Sequence, residues 1–218
     1  MPDPSSFSFV LGSRSPQRLE LLSRIVSAER IVVRPPRSTE EAGFDDCTTR
    51  QEIDERLLAI ARAKCDDVLA QVRGENPPAR TVIVAADTTI IATDVHGGPV
   101  VLGQPPEHER WAETVRRWFC ECYFGRTHQA ATALCLATTS GERLERIVTT
   151  DVTFHADGER WLDWYLATGE PRGKAGGYAI QGLAEIFVAR VDGSLSNVIG
   201  LPLRDLCEML ETAGYAPR

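Results

Sequence analysis

The sequence lacks the features that mark secreted, membrane-spanning or zinc-binding chains. Residues 1–8 have neither the cationic start nor the apolar run of a signal peptide, and no segment approaches the roughly 20 apolar residues of a membrane span. No cysteines form a CxxC pair or combine with histidine at zinc-site spacing. We therefore expect a cytoplasmic location by default. We also expect reduced, mostly buried thiols at the six cysteines, Cys47, Cys65, Cys120, Cys122, Cys135 and Cys207.

An excess of positive charge is also absent. The chain has 24 Lys and Arg against 31 Asp and Glu, which gives a formal net charge of -7. Proteins that track nucleic acid usually present a broad basic surface, so the composition argues against nucleic acid and favours a small ligand. A hydrophobic content of 43% over 218 residues is ample for a buried core. We expect one domain over residues 1–218, with a flexible N-terminus at residues 1–8.

Helical and extended patterns alternate along the chain, and this alternation predicts an α/β fold. Predicted strands cover residues 9–12, 31–33, 82–86, 100–102, 130–137, 146–154 and 186–191. Predicted helices cover residues 16–22, 52–72, 107–123, 161–168 and 201–210. Strands 130–137 and 146–154 are expected to pair, so a long sheet is implied.

Two predicted strand ends carry polar clusters, and in open α/β sheets ligands bind beyond the carboxyl ends of strands. The first cluster contains Ser13, Ser15 and Arg18 at a helix start, where hydroxyls, backbone N–H groups and a guanidinium suit phosphate oxygens. An ordinary helix cap by Ser15 is the simpler alternative. The second cluster contains Asp87 and Thr88. The carboxylate of Asp87 suits Mg²⁺ or a general base, and a turn-capping role explains it equally well.

Four further side chains each admit a functional and a structural interpretation. Lys64 follows Arg62 on a predicted helix, where a solvated cationic face is the simpler explanation. Lys174 stands in a Gly-rich stretch that lets backbone approach a ligand, but the spacing matches neither a P-loop nor a Rossmann fingerprint. His128 has no nucleophile arrangement nearby, which favours a structural histidine. Glu40 is of a type that ligates metals, although a solvated loop explains it as well.

Seven short motifs follow one another along nearly the whole chain, from Leu11 to about Leu210. They are LGSRSPQR at 11–18, ARAK at 61–64, ADT at 86–88, LGQP at 102–105, GRTH at 125–128, GEPRGKAGGYAIQG at 169–182 and NVIGLP at 197–202. In this order they resemble the Maf family of nucleoside triphosphate pyrophosphatases, the septum formation protein family.

The resemblance implies a long, curved mixed sheet whose flanking helices form two lobes around a central cleft, as in inosine triphosphatases. It implies cleavage between the α- and β-phosphates, with Mg²⁺ or Mn²⁺, to a monophosphate and pyrophosphate. By position, Asp87 corresponds to the proton acceptor, and Lys64 is a second catalytic residue that would face the phosphates. Glu40 and Asp87 are the candidate metal ligands. Further positions are assigned to substrate: Ser13, Ser15, Gln17, Arg18, Thr88, Gln104, Lys174 and Gln181. A homodimer is the oligomeric state that the resemblance makes reasonable.

The YAIQG segment at 178–182 resembles the branch that acts on dTTP and UTP more than the branch that acts on 7-methyl-GTP. Two positions depart from the family pattern, because Gln17 and Gln104 replace an expected Arg and Lys. Each replacement removes a full charge from the phosphate site, which predicts reduced activity or a shifted substrate. The leading hypothesis is therefore an active pyrophosphatase. The alternatives are a catalytically weakened nucleotide-binding protein and a house-cleaning enzyme for modified nucleotides.

Overall fold

The computed structural model describes residues 7–38, 42–75, 77–78 and 80–216. Its strands are β1 (Ser8–Leu11), β2 (Ile31–Val33), β3 (Thr81–Thr93), β4 (Pro99–Leu102), β5 (Thr127–Thr138), β6 (Arg143–Phe154) and β7 (Val188–Asp192). Its α-helices are α1 (Pro16–Ser23), α2 (Arg50–Arg73), α3 (Trp111–Trp118), α4 (Leu162–Ala167), α5 (Leu195–Ile199) and α6 (Leu203–Thr212). A π-helical turn, Phe119–Tyr123, continues α3. Short 3₁₀ turns occur at Ala28–Arg30, Gly158–Trp161, Ala175–Gly177 and Leu183–Phe187.

The strands within the described ranges form one mixed sheet in the order β2-β1-β3-β5-β6-β7, with β4 also paired to β3. The three N-terminal neighbours β2, β1 and β3 are parallel, whereas β3 with β4 and the β3, β5, β6 and β7 neighbours are antiparallel. Helices lie against this sheet, so the predicted α/β class with a long mixed sheet and flanking helices is confirmed. The predicted pairing of strands 130–137 and 146–154 is also confirmed, as β5 and β6.

Helix α2 shows why the longest predicted helix forms where it does. The Thr49 side chain accepts a hydrogen bond from the Glu52 backbone, and the Glu52 carboxylate accepts from the Thr49 backbone, which together make a capping box. Apolar residues recur at helical spacing after this cap, and Ile53, Leu57 and Ala61 among them are fully buried. This face packs on the side chains of β3 and β5, and it fixes the helix on one side of the sheet.

Three groups of buried side chains divide the core. One lies between α2 and the sheet, and a second lies on the opposite face beneath α1 and α6. The third is rich in aromatic rings and joins α3, α4 and the π-helical turn to the far end of β5 and β6. Phe119 is its hub, with ring contacts to Tyr123, Phe124, Phe154, Tyr165 and Phe187.

Several predicted boundaries are wrong. The predicted helix 107–123 begins only at Trp111, where no side chain caps it, and its α-helical part ends at Trp118. The predicted strand 186–191 begins at Val188, because the Glu170 carboxylate accepts from the backbone N–H groups of Leu183 and Ala184 and stabilises a 3₁₀ turn there. The last predicted helix, 201–210, is Leu203–Thr212 and is preceded by the unpredicted α5.

Two other expectations are corrected in part. Phe7 is buried and Ser8 begins β1, so the flexible N-terminus expected over residues 1–8 does not extend to these two, and residues 1–6 lie outside the described ranges. All six cysteines are unbridged. Cys65, Cys122 and Cys135 are buried as expected, but Cys120 is exposed. Residues two apart in a helical turn do not share a face, so Cys120 and Cys122 cannot both face the core. Across the described parts of the chain, no helix is long and apolar enough to cross a membrane.

Candidate active site

The site begins at an interruption along one side of strand β3. On that side β1 pairs with β3 up to Val84, and β4 pairs with it only from Ile90 onward. The other side of β3 is paired continuously with β5 from Val82 to Ile91. Both β1 and β4 end at this interruption, because Leu11 is the partner of Val84 and Leu102 is the partner of Ile90. The loops that follow two strands therefore converge on the middle of a third.

Asp87 lies within this interruption and not at the end of a strand. The prediction that Asp87 follows the last residue of its strand is wrong, because the strand continues through the β-branched residues 88–91 to Thr93. Successive strand residues point to opposite faces of a sheet. Asp87 accordingly meets a side chain of α2, while Thr88 meets a side chain of α1.

Lys64 and Asp87 form an ion pair. Lys64 Nζ lies 2.5 Å from Asp87 Oδ1, and the two side chains are only 16% and 12% exposed. Such a charge-assisted bond in a shielded place is stronger than a surface ion pair. The solvated position considered for Lys64 is thus wrong. Arg62 differs, because its guanidinium is half exposed and makes a bidentate bond to Glu145, at 2.7 Å for each oxygen.

The loop after β1 is ordered by its own hydroxyl groups. Ser15 caps α1 by accepting from the Arg18 backbone N–H at 3.3 Å, so the helix-cap prediction is confirmed. The same hydroxyl donates to Gln17 Oε1 at 3.1 Å, and the Ser15 backbone N–H donates to Ser13 Oγ at 3.1 Å. Capping does not exclude a functional role here, because all three side chains also line the cleft.

Arg18 is held from three directions. Its Nε donates to the carbonyl of Gly200 at 2.9 Å, one terminal nitrogen donates to Thr88 Oγ1 at 3.0 Å, and the other donates to Ser13 Oγ at 3.4 Å. Gly200 has a φ of 123°, which lies in the region that favours glycine. A glycine therefore lets the backbone adopt the conformation in which this carbonyl faces the guanidinium.

Lys174 stands on a loop that buried groups anchor. Gly176 and Gly177 follow it with φ values of 67° and 71°, in the region that favours glycine. The Tyr123 hydroxyl donates to the Gly176 carbonyl at 2.9 Å, and burial raises the pKa of Tyr123 well above its usual value, so this donor keeps its proton. The Gly176 N–H donates to the Gly103 carbonyl at 2.9 Å, which joins the Lys174 loop to the Gln104 loop.

These elements enclose a cleft of about 1010 Å³. All predicted catalytic and substrate-binding residues line it, namely Ser13, Ser15, Gln17, Arg18, Lys64, Asp87, Thr88, Gln104, Lys174 and Gln181. Among the described residues that line the cleft are four cations, Arg14, Arg18, Lys64 and Lys174, and two carboxylates, Asp87 and Glu107. The cleft is thus cationic although the chain carries a net charge of -7, an arrangement that concentrates anionic ligands.

The side chains of the cleft can bind a divalent metal only if substrate supplies further ligands. Within the described ranges no three His, Cys, Asp or Glu side chains converge as a preformed metal site. Mg²⁺, however, is commonly held by one or two carboxylates together with water and substrate phosphates. Asp87 fits this mode because its carboxylate lies in a cationic cleft that suits a polyphosphate. The other predicted ligand, Glu40, lies outside the described residues.

His128 is structural, as predicted. Its ring is 1% exposed and its Nε2 lies 2.8 Å from the Tyr178 hydroxyl. Burial lowers the pKa of His128 from 6.5 to about 3, so the ring is neutral. The sequence did not single out Thr132, which is the cross-strand partner of Thr88, or assign a role to Asn197. Asn197 stands in the NVIGLP motif, which was a usable signal, whereas Thr132 looks like any β-branched strand residue.

Comparison with known proteins gives concordant results. The family model described as Maf-like protein matches residues 8–213. A relative named dTTP/UTP pyrophosphatase from Anaeromyxobacter sp. (strain Fw109-5) is 36% identical over 214 residues, covering 96% of this chain and 91% of the relative. A relative of the same name from Anaeromyxobacter dehalogenans (strain 2CP-C) is 38% identical over 209 residues, covering 94% of each chain.

A solved structure with some likeness is a nucleoside-triphosphatase / dITP/XTP pyrophosphatase from Mycobacterium abscessus. It is 15% identical, with a TM-score of 0.41, and the match covers 68% of this chain and 74% of that one. A likeness of this size supports no conclusion about the site.

Proposed function

The chain belongs to the Maf-like protein family, and from this we propose that it hydrolyses dTTP and UTP to the nucleoside monophosphate and pyrophosphate. The relatives that carry this activity in their names share 36% and 38% of their residues with it over more than nine tenths of both chains. Both kinds of observation, the relatives and the cationic cleft, point to a polyphosphate ligand. The same relatives do not favour a nucleotide-binding protein without catalysis.

The observation that carries the proposal is the position of the Lys64–Asp87 pair. A carboxylate stands in the only interrupted stretch described on that side of β3, with an ammonium group 2.5 Å away and with hydroxyl groups and further cations lining the same cleft. A carboxylate that served only the fold would be expected to cap a turn, but Asp87 is in the middle of a strand. A general base beside bound phosphates accounts for its place.

Phosphate binding falls to the groups that face the cleft from both loops. Arg18 and Lys174 supply charge, and Ser13 and Ser15 supply hydroxyls at the start of α1. A triphosphate repels an approaching nucleophile, and fixed cations reduce this repulsion without reorganising during the reaction. Gln17 and Gln104 stand where they can donate hydrogen bonds to the same phosphate oxygens without full charge.

Proton transfer falls to Asp87. The carboxylate accepts the proton of the attacking water, and Lys64 holds the carboxylate in place beside the phosphates. Mg²⁺ or Mn²⁺ bound through Asp87 and the phosphate oxygens would supply further charge neutralisation when present. Thr88 and Gln181 line the cleft and are the groups that we assign to base selection.

A panel of nucleoside triphosphates tests the proposal. Purified protein is incubated with dTTP, UTP, CTP, ATP, GTP and 7-methyl-GTP in the presence of Mn²⁺ or Mg²⁺, and pyrophosphate and orthophosphate are measured separately. We expect dTTP and UTP to be turned over fastest, with one pyrophosphate for each monophosphate. Release of orthophosphate alone would contradict the proposed bond cleavage.

The same panel separates the alternatives. Nucleotide-dependent thermal stabilisation without product, at high protein concentration, would favour a binding protein. Faster turnover of modified nucleotides than of dTTP and UTP would favour a house-cleaning enzyme. The homodimer stays a prediction, which light scattering of the same preparation can test.

A further inference from the structure

Behind the cleft, a chain of hydrogen bonds runs from Arg18 into the core. Arg18 donates to Thr88 Oγ1 at 3.0 Å, Thr88 Oγ1 lies 2.9 Å from Thr132 Oγ1, and the Thr132 hydroxyl donates to the Asn197 carbonyl at 3.2 Å. Thr88 and Thr132 are direct cross-strand partners on β3 and β5. Thr132 is fully buried and does not line the cleft, so any effect that it has on substrate passes through Thr88.

The groups at the two ends of this series of hydrogen bonds determine which hydroxyl donates and which accepts at each step. A guanidinium can only donate and a carbonyl can only accept. The Thr132 hydroxyl has one proton, which it donates in the hydrogen bond to the Asn197 carbonyl. Thr132 must therefore accept a hydrogen bond from Thr88. The Thr88 proton consequently points into the core, and its oxygen offers only lone pairs to Arg18. Hydrogen bonds aligned in one direction from a cation polarise and strengthen one another.

The end of helix α5 provides the fixed points. The last carbonyls of a helix have no partner within the helix. The Asn197 carbonyl, in the last turn of α5, accepts from Thr132, and the Gly200 carbonyl just beyond accepts from Arg18 Nε. Asn197 itself is anchored, because its side-chain amide donates to the Ala130 carbonyl and to Thr150 Oγ1. One short helix thus orients Arg18 both directly and through two hydroxyls.

We propose that Thr132 is a positioning residue that orients Arg18 by fixing the proton of Thr88. The proposal rests on the function proposed above, because it is the phosphate-binding role of Arg18 that gives this orientation an effect on turnover. Without the Thr132 hydroxyl, Thr88 is free to rotate and to donate elsewhere, and the hydrogen bond that holds Arg18 from this side is weakened. The guanidinium then meets the phosphates in a less defined geometry.

Three variants test the inference. Thr132→Val keeps the shape and removes the hydroxyl, Thr132→Ser keeps the hydroxyl, and Thr138→Val is the matched control. Thr138 is a buried residue on the same strand whose hydroxyl bonds to Ser140 at 2.8 Å, away from the cleft. We expect Thr132→Val to lower kcat/KM for UTP about tenfold, while Thr132→Ser and Thr138→Val stay within about twofold of the parent.

A double-mutant cycle then asks whether the effect passes through Thr88. In a Thr88→Val background, Thr132→Val should lower kcat/KM by less than about twofold further. A loss of the same size with and without Thr88, or a failure of Thr132→Ser to restore turnover, would overturn the inference. Equal losses in Thr132→Val and Thr138→Val would also overturn it, because they would indicate a general effect on the strand.

A binding measurement separates this inference from the proposed function. Affinity for the non-hydrolysable α,β-methylene analogue of UTP is measured by calorimetry for the parent and the three variants. If the parent releases no pyrophosphate from any nucleotide, the proposed function fails, and the inference is judged by affinity alone. It stands if Thr132→Val weakens analogue binding at least threefold with rescue by Thr132→Ser, and it falls if the affinities are equal.

Discussion

The buried histidine gives a pH dependence of stability that can be worked out from the structure. In the folded protein burial lowers the pKa of His128 to about 3, against 6.5 for an ordinary histidine. Its Nδ1 has no hydrogen-bond partner within the described part of the chain, so the protonated ring would carry a buried and unpaired N–H at that atom. Between these two pKa values the unfolded chain binds a proton that the folded chain does not.

This difference in pKa determines how the free energy of unfolding changes with pH. The pKa of His128 is lower in the folded protein than in the unfolded chain. Its contribution to the free energy of unfolding is therefore complete above pH 6.5 and is lost as the pH falls toward 3. The loss approaches about 1.4 kcal/mol per pH unit below the unfolded pKa. From pH 7 to pH 5 this amounts to about 2 kcal/mol of unfolding free energy, which is a large part of the stability of an ordinary domain.

Urea unfolding at pH 7 and pH 5 measures this loss of unfolding free energy, in the parent, in His128→Gln and in His155→Gln. The glutamine side chain of His128→Gln can still reach the Tyr178 hydroxyl but does not titrate, and His155 is an exposed control. The parent and His155→Gln should each lose about 2 kcal/mol more than His128→Gln over this interval. Carboxylates contribute equally to all three proteins, so they cancel in the comparison. Equal losses in the parent and His128→Gln would refute the reasoning.

Three further predictions concern the cleft. Lys64→Met should lower kcat by at least about 100-fold because the carboxylate loses its partner, whereas Arg62→Met, two residues away on the same helix, should stay within about threefold, as steady-state pyrophosphate release would show. Gly176→Ala should cost about 3 kcal/mol in urea unfolding, because the φ is 67° and the new Cβ would lie 2.5 Å from a buried tyrosine hydroxyl; an unchanged midpoint would contradict this. Gln17→Arg with Gln104→Lys should raise kcat/KM about tenfold at low salt and less at high salt, and no change would show that these positions do not meet phosphate.

The site was largely predictable because its parts are local motifs. Ser13, Ser15 and Arg18 follow a predicted strand at a helix start, so the strand end indicated this wall of the cleft. Gln104 is indicated only by the family resemblance. That the two loops and Asp87 meet could not be read from any one segment. It depends on the registers of β1 and β4 against β3, which leave the middle of β3 uncovered on one side.

The position of Asp87 was misjudged for the same reason. Residues 82–86 form an apolar run, and the polar residues after it predict that the strand ends at residue 86. The strand continues because β5 pairs with it across the whole stretch, and a distant partner outweighs a local change of polarity. The 3₁₀ turn at Leu183 is similar, since its cap comes from Glu170, 13 residues earlier.

The sequence does not single out Thr132, because threonine is common in strands and nothing around residue 132 marks its hydroxyl as functional. Its hydroxyl matters only through its neighbours, Thr88 across the sheet and the Asn197 carbonyl 65 residues later. Sequence patterns report periodicity and residue type, and they do not report which way a buried proton points. The residue pattern alone favours a solvated face for Lys64, because it does not show that Asp87, 23 residues later, is the ion-pair partner of Lys64. Only the family resemblance indicates a catalytic role for Lys64.

The measurement that tests the central claim most directly is pyrophosphate release from UTP or dTTP by the parent and by Asp87→Asn under saturating substrate. Both proteins should show the same circular dichroism spectrum, so that folding is controlled. If Asp87 is the base of a nucleotide pyrophosphatase, the parent releases pyrophosphate and monophosphate in equal amounts and Asp87→Asn is slower by about 1,000-fold or more. A variant as fast as the parent, or a parent that releases only orthophosphate, would contradict the account.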